Sequence, residues 1–224
     1  MQNFKSRIAK ENLAQYLLVP LDIPKIQIDR RKLIDFFDTN KEIARNDFLK
    51  AIDFPWYILH LRIQGETPKA GEIPGSRWSN SARNEFQELI SLIETLPFQH
   101  IERVYILEQL KDVIPHQDVS REEDPSLGPS TFRFPLINDT PETTFYILRG
   151  SKKTGDLSTE EIYPVLPPDT QWFGMNNYLA SHGSHLPQGD SRKLMLCIWG
   201  KVQREQWLDL LSKSIKKYRN YCVI

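Results

Sequence analysis

Cysteine is scarce in this sequence and net charge is absent. Only Cys197 and Cys222 are cysteines among 224 residues. One lies in an apolar strand-like run and the other near the C-terminal end, which is not the spacing of a disulfide framework or a zinc site. A reducing cytoplasm is the expected compartment. Lys and Arg total 29 and so do Asp and Glu, so no global field draws the chain to nucleic acid or to an anionic membrane. No apolar run approaches the roughly 20 residues that span a bilayer, and MQNFKSRIAKENLAQYLL carries charges where a signal peptide needs an apolar core. Cys222 stands too close to the end for YCVI to match the prenylation pattern. Internal repeats and low-complexity linkers are also missing.

What remains is ordinary globular chemistry. Hydrophobic residues make up 40% and aromatics 11%, enough for a buried core, and the length suits one domain better than two. The expected division is a helical or mixed part over 1–100, a β-rich core over 101–202 and a helix over 203–220, all sharing one core. In the first part the patterning predicts a helix around Ser6–Leu18, a β-like stretch near Ile26–Ile28, a short helix over Asp38–Phe48 and a strand over Trp56–Ile63. Ser81–Leu96 places Phe86, Leu89, Ile90 and Ile93 on one helical face.

From His100 onward the texture changes to short β-rich runs separated by Pro, Gly and Asp clusters: Arg103–Leu110, Thr131–Leu136, Thr144–Leu148, Ile162–Val165, Gln171–Met175 and Lys193–Trp199. These predict an antiparallel barrel or sandwich. Gln203–Lys217 then carries Trp207, Leu210, Leu211 and Ile215 opposite Lys213, Lys216 and Lys217, the pattern of a helix packed on the barrel. If that stripe were exposed, a homodimer would be as natural as a monomer. Ser120–Ser130 is too polar and too rich in Pro and Gly for a core strand, and is expected to be a loop, with a closing lid as its candidate role.

The chemistry concentrates in two places. In VIPHQD, His116 and Asp118 flank Gln117, so an extended backbone points both side chains to one face. SHGSH offers a further imidazole, and two histidines with one carboxylate hold one face of an octahedral Fe(II) while three positions stay open for a 2-oxo acid and dioxygen. Residues three apart on a strand face opposite ways, so His182 and His185 are not expected on the same ion. Arg192 begins the apolar run KLMLCIW. An arginine carried into a barrel needs an anion, and the distal carboxylate of 2-oxoglutarate is a suitable bidentate partner. Arg133, between Phe132 and Phe134, is a second cation in an apolar strand. His60 and His100 have no partner at ligand spacing, and Asn176 and Asn177 are either turn residues or hydrogen-bonding orienters.

VIPHQD, FRFPL, WFGMNN and His182 followed ten residues later by Arg192 together resemble the aspartyl/asparaginyl β-hydroxylase-like branch of the Fe(II)/2-oxoglutarate oxygenases, a branch that includes free-proline hydroxylases. The likeness covers roughly Val104–Trp199. It implies a double-stranded β-helix (jelly-roll, cupin-like) of α+β or mainly β class. It also implies iron ligands at His116, Asp118 and His182, and cosubstrate contacts at Arg192 and Arg133. Two departures stand out: Lys111 and Asp112 occupy the turn before the HxD pair, where the family often has glycine, and the interval to the distal histidine is long, fitting an insertion around Ser151–Glu161.

The activity implied is a hydroxylase that oxidatively decarboxylates 2-oxoglutarate and inserts oxygen into an unactivated C–H bond. The substrate is expected to be an amino acid, free or within a peptide or protein, with hydroxylation, desaturation or demethylation of a small natural product as the alternative. Arg77, Trp78 and Arg121 are candidates for holding it. Two other readings stay open at this point: a cupin-like metalloenzyme without 2-oxoglutarate, and a non-catalytic β-sandwich binding module with structural histidines.

Overall fold

The computed structural model describes residues 13–40, 56–64, 76–117, 131–137, 144–148, 160–176, 180–188 and 192–224. Among the described residues eleven strands form two antiparallel sheets, and four α-helices lie among them, giving an α+β fold. In chain order the strands are β1 (Leu18–Pro20), β2 (Trp56–Gln64), β3 (Ser76–Trp78), β4 (Phe98–Gln109), β5 (Val113–His116), β6 (Thr131–Ile137), β7 (Phe145–Leu148), β8 (Glu161–Ile162), β9 (Phe173–Met175), β10 (His182–Ser184) and β11 (Leu194–Val202). The larger sheet runs β1-β9-β6-β11-β4-β2-β3 and the smaller β5-β10-β7-β8. From β4 to β11 the chain passes repeatedly from one sheet to the other.

The helices are α1 (Arg30–Thr39), α2 (Asn80–Glu85), α3 (Gln87–Thr95) and α4 (Arg204–Tyr218). Asp29 starts α1 because its Oδ1 accepts from the backbone N–H groups of Arg31 and Lys32 at 2.9 and 3.1 Å, satisfying donors that the first turn leaves orphaned. Most of the helix expected over Asp38–Phe48 lies outside the described residues; its first two positions, Asp38 and Thr39, are the end of α1. Likewise most of Ser6–Leu18 lies outside them, and its visible end is a short 3-10 turn, Leu13–Gln15, running into β1. Ile26–Ile28 is irregular.

The single helix expected over Ser81–Leu96 is broken at Phe86, whose backbone leaves the helical region (φ −130°, ψ 42°). Its ring is buried edge-on against Phe36, centroids 4.8 Å apart. That aromatic contact ties α2 and α3 to α1. Strand positions β2, β4, β6, β7 and β11 agree with the patterning, as does α4, capped by the Gln203 side chain at 2.7 Å from Gln206 N. The short strands β1, β3, β5 and β10 carry too few residues to stand out by alternation alone.

Alternation along β11 separates two environments. Leu194, Leu196 and Ile198 join Val104 and Ile106 of β4 in the core shared with the helices, which also holds Trp207, Leu211, Phe37 and Ile93. Met195 and Cys197 turn the other way, towards the smaller sheet. A second apolar cluster sits there, with Phe145 and Ile147 of β7 packed with Phe173 and Met175 of β9. Among the described residues no helix is long and apolar enough to cross a membrane.

Candidate functional site

β5 and β10 lie side by side in the smaller sheet with His116 directly opposite His182, and the register shifts before Ser184 pairs with Val113. The imidazole centroids stand 4.5 Å apart. In each ring Nδ1 lies 3.0 Å from a backbone carbonyl two residues earlier, Ile114 O for His116 and Ala180 O for His182. A carbonyl can only accept, so Nδ1 carries a proton in both rings, and in the neutral ring this leaves the lone pair on Nε2. That is how metal-binding histidines are oriented by their surroundings. His182 is 5% exposed. Phe145 stands 5.7 Å from its ring and Trp56 6.3 Å from that of His116, so aromatic walls flank the pair.

Gly183 lets this pairing happen. A Cβ there would meet Tyr146 Oη at 2.3 Å and the Val113 carbonyl oxygen of β5 at 2.8 Å; the second atom is backbone and has no rotamer to yield. Tyr146 covers the outer face of β10 and stacks on His185 at 4.8 Å. His185 thus faces away from His182, with Nδ1 3.2 Å from Asp112 and Nε2 3.6 Å from Glu161. The Asp112 carboxyl is held below its usual range, first by the Leu186 backbone N–H at 2.8 Å and then by His185. Tyr163 donates to Glu161 at 2.6 Å, which pushes its phenol up to about 12.

Asp118, two positions beyond His116, lies outside the described residues, as do Arg121, Asn177 and Ser120–Ser130. Among the described residues no three His, Cys, Asp or Glu side chains form a metal-holding group. Asn176 is buried at the end of β9. Trp78 belongs to the core: it is 4% exposed and donates to Glu94 at 2.8 Å. Arg77 is exposed.

The two arginines part company. Arg133 of β6 is 7% exposed and sits opposite Cys197, to whose Sγ its Nη1 donates at 2.5 Å. Across β11 the row continues to Tyr105 and then His60. Burial, reinforced by nearby Cys197, drives the Tyr105 phenol above its usual range, and Trp199 donates to it at 2.6 Å. Arg192 was expected to enter the barrel, and here it turns towards the helices. Its Nε lies 2.6 Å from Glu108, its Nη1 2.9 Å from Asp38 at the end of α1, and its guanidinium 5.6 Å over the Phe37 ring. The anion that a half-buried arginine needs comes from the protein itself.

Lys193, the next residue, is 2% exposed. Its Nζ donates across to the Ser184 hydroxyl of β10 and to the His185 carbonyl at 3.4 Å. Gln109, at the end of β4, completes this buried group. Sequence reasoning overlooks all three residues; the signal for Lys193 was its parity with Met195 and Cys197, opposite Leu194 and Leu196. A groove of about 700 Å³ lined by Asp29, Lys32, Asp35 and Glu85 lies on the helical side and includes none of the site histidines.

No family model and no curated protein matches the chain. Solved structures give distant likenesses. EvdMO1 aligns at 16% identity and TM-score 0.41, over 86% of this chain and 49% of its own, so the chain spans about half its length. A 2OG-Fe(II) oxygenase family oxidoreductase from Burkholderia pseudomallei aligns at 12% identity and TM-score 0.37, covering 81% of this chain and 98% of that one. The nickel complex of the non-heme monooxygenase ThoJ aligns at 11% identity and TM-score 0.42, covering 94% and 96%. TM-scores of 0.37 to 0.42 are too low to assign this chain a family.

Proposed function

We propose that the chain is an Fe(II)- and 2-oxoglutarate-dependent oxygenase that hydroxylates an unactivated C–H bond of an amino acid, free or within a peptide or protein. The observation that carries this is the facing pair His116 and His182. Each has Nδ1 committed to a backbone carbonyl, and the two rings stand 4.5 Å apart. Two oriented imidazoles fit a divalent iron, and Asp118, two residues beyond His116 in the motif, is proposed as the third ligand. The strand order supports reading β4–β11 as a double-stranded β-helix: four of these eight strands fall in each sheet, and β5 and β10 are neighbours in the smaller. A jelly roll distributes its eight strands between two sheets in this manner.

When bound, Fe(II) with 2-oxoglutarate and dioxygen supplies the oxidant for C–H hydroxylation. The protein's part is positioning. The carbonyls of Ile114 and Ala180 fix the tautomer and tilt of the two ligating rings. Phe145 and Trp56 border them and limit water at the reacting face. Arg133 supplies positive charge between the sheets, where an anionic cosubstrate is to be held.

Anaerobic titration with Fe(II) and 2-oxoglutarate tests the reading through the visible metal-to-ligand charge-transfer band. One equivalent should develop the band in the wild type and none should appear in His182→Ala. Iron bound without a band would overturn 2-oxoglutarate dependence, and the absence of bound iron would leave a binding module.

A further inference from the structure

We propose that Gln109 and Pro115 are positioning residues of the histidine pair: a one-residue bulge at Pro115 turns His116 to the face of His182, and Gln109 pins the strand register from which that bulge is counted. The inference rests on the function proposed above and deepens the account of the same site. It starts from the pairing of β5 with β10. His182 lies opposite His116, yet Ser184 lies opposite Val113. Two steps along β10 therefore match three along β5, and Ile114 and Pro115 together face Gly183. This is a β-bulge. Cross-strand partners share a face and faces alternate along a strand. A plain ladder counted from Val113 would thus set Pro115 opposite His182 and send the His116 ring to the other side. Exposure records the shift. Val113 is buried, Ile114 and Pro115 are both exposed, and the next ring, His116, stands 4.5 Å from that of His182. Pro115 suits this place, since proline has no N–H for a ladder and sits in sheets mainly at bulges and edges.

The register at Val113 is held from the end of β4. Gln109, 8% exposed, donates through Nε2 to the carbonyls of Lys111 and Ser184 at 2.9 and 3.0 Å. Its Oε1 accepts from the Ser184 hydroxyl at 2.8 Å, and its backbone N–H goes to the Lys193 carbonyl at 3.0 Å. One buried amide thus grips both the corner that leads into β5 and the β10 residue opposite Val113. On the outer side Asp112, from the same corner, accepts from the Leu186 backbone N–H at 2.8 Å. With Ser184 and Val113 fixed in this way, the bulge alone decides which way His116 turns. Gln109 acts on the site through the strand register.

Removing the pin and removing the extra residue have opposite consequences, which separates positioning from plain stability. Gln109→Leu keeps the extra residue but frees β5 to slip by one, which turns His116 away. Deleting Pro115 leaves Val113, Ile114 and His116 in unbroken alternation, so His116 faces His182 without a bulge. The full chain is titrated anaerobically with Fe(II) by calorimetry. Its Co(II)-loaded form is read by proton NMR, where each coordinated imidazole with a proton on Nδ1 gives one far-shifted exchangeable resonance. Denaturation midpoints control for folding. Wild type and the Pro115 deletion should each show a resonance from both histidines. Gln109→Leu should lose that of His116 and bind Fe(II) roughly ten- to a hundredfold more weakly, the usual effect of residues that orient metal ligands. Combined with the deletion, Gln109→Leu should regain the resonance and the affinity of the deletion alone. Pro115→Val supplies a ladder N–H and a strand-forming side chain, should move in the same direction as Gln109→Leu, and carries the test if Gln109→Leu does not fold. Both resonances retained in a folded Gln109→Leu, or in Pro115→Val where that variant carries the test, would overturn the proposal. So would a folded combined variant that stays as weak as Gln109→Leu. A wild type that takes up neither Fe(II) nor Co(II) would instead remove the reading of the site on which the proposal rests.

Discussion

Arg192 and Lys193 are adjacent cations at the mouth of β11, and the fold uses them for opposite purposes. Arg192 lies on the helical face, 27% exposed, clamping the last turn of α1 to β4 through Asp38 and Glu108. Lys193 lies on the inner face, 2% exposed, and reaches the histidine-bearing strand. The face of each side chain is set by strand parity, and parity is in turn anchored by which neighbours are apolar: Leu194, Leu196 and Ile198 fill the helical core, so Lys193 follows Met195 and Cys197 inward. A charge acquires its role here from the face on which the hydrophobic pattern places it.

If the helical face is structural and the inner face chemical, substitutions on the two should separate stability from ligand binding. The largest stability effect is expected for Trp207→Ala, which empties a fully buried position under the larger sheet. About 3–5 kcal/mol should be lost, read as a lower denaturation midpoint. Arg192→Met should cost about 1–3 kcal/mol by leaving the Glu108 carboxylate, 7% exposed, without its guanidinium. Fe(II) affinity should not follow it; a parallel loss of metal binding would break the comparison. Gly183→Ala should reach both faces at once. Its Cβ presses on the Val113 carbonyl and so shifts β5 against β10, and about 1–3 kcal/mol of overpacking should appear together with weaker Fe(II) binding in a calorimetric titration.

The smallest effect is a pH dependence at the outer rim. Asp112 has its carboxyl pKa lowered by the Leu186 N–H and by His185. A depressed carboxyl in the folded state stabilises at neutral pH, and that contribution disappears as pH falls below the ordinary aspartate value of about 4 and through the lowered one. Wild type should lose thermal stability over that window more steeply than Asp112→Asn. Identical pH profiles would show that this contact, exposed as it is, contributes nothing measurable.

Periodicity exposed the long elements. Trp56–Ile63 alternates, Lys193–Trp199 is a continuous apolar run bounded by turn residues, and Gln203–Lys217 repeats its apolar residues at helical spacing. Helix α1 escaped because its start depends on one capping carboxylate, Asp29, and its buried face on Leu33, Phe36 and Phe37 packing against distant segments. The break at Phe86 is likewise tertiary, since the Phe36 ring lies some fifty positions earlier in the chain. At the site, motif spacing was enough to nominate His116 and His182. It did not reveal that Arg192 would be taken up by two protein carboxylates, because neither Glu108 nor Asp38 is near it in sequence.

By itself, then, the sequence determined a globular α+β chain with a β-rich second half, a C-terminal helix and a pair of histidine motifs, since composition, alternation and local spacing are properties of short segments. Only the tertiary structure decided that His116 and His182 stand opposite each other, that His185 faces away and that Lys193 is the inward cation. Those outcomes depend on strand pairing between segments 66 to 104 positions apart, where register and face come from the packing of the whole core.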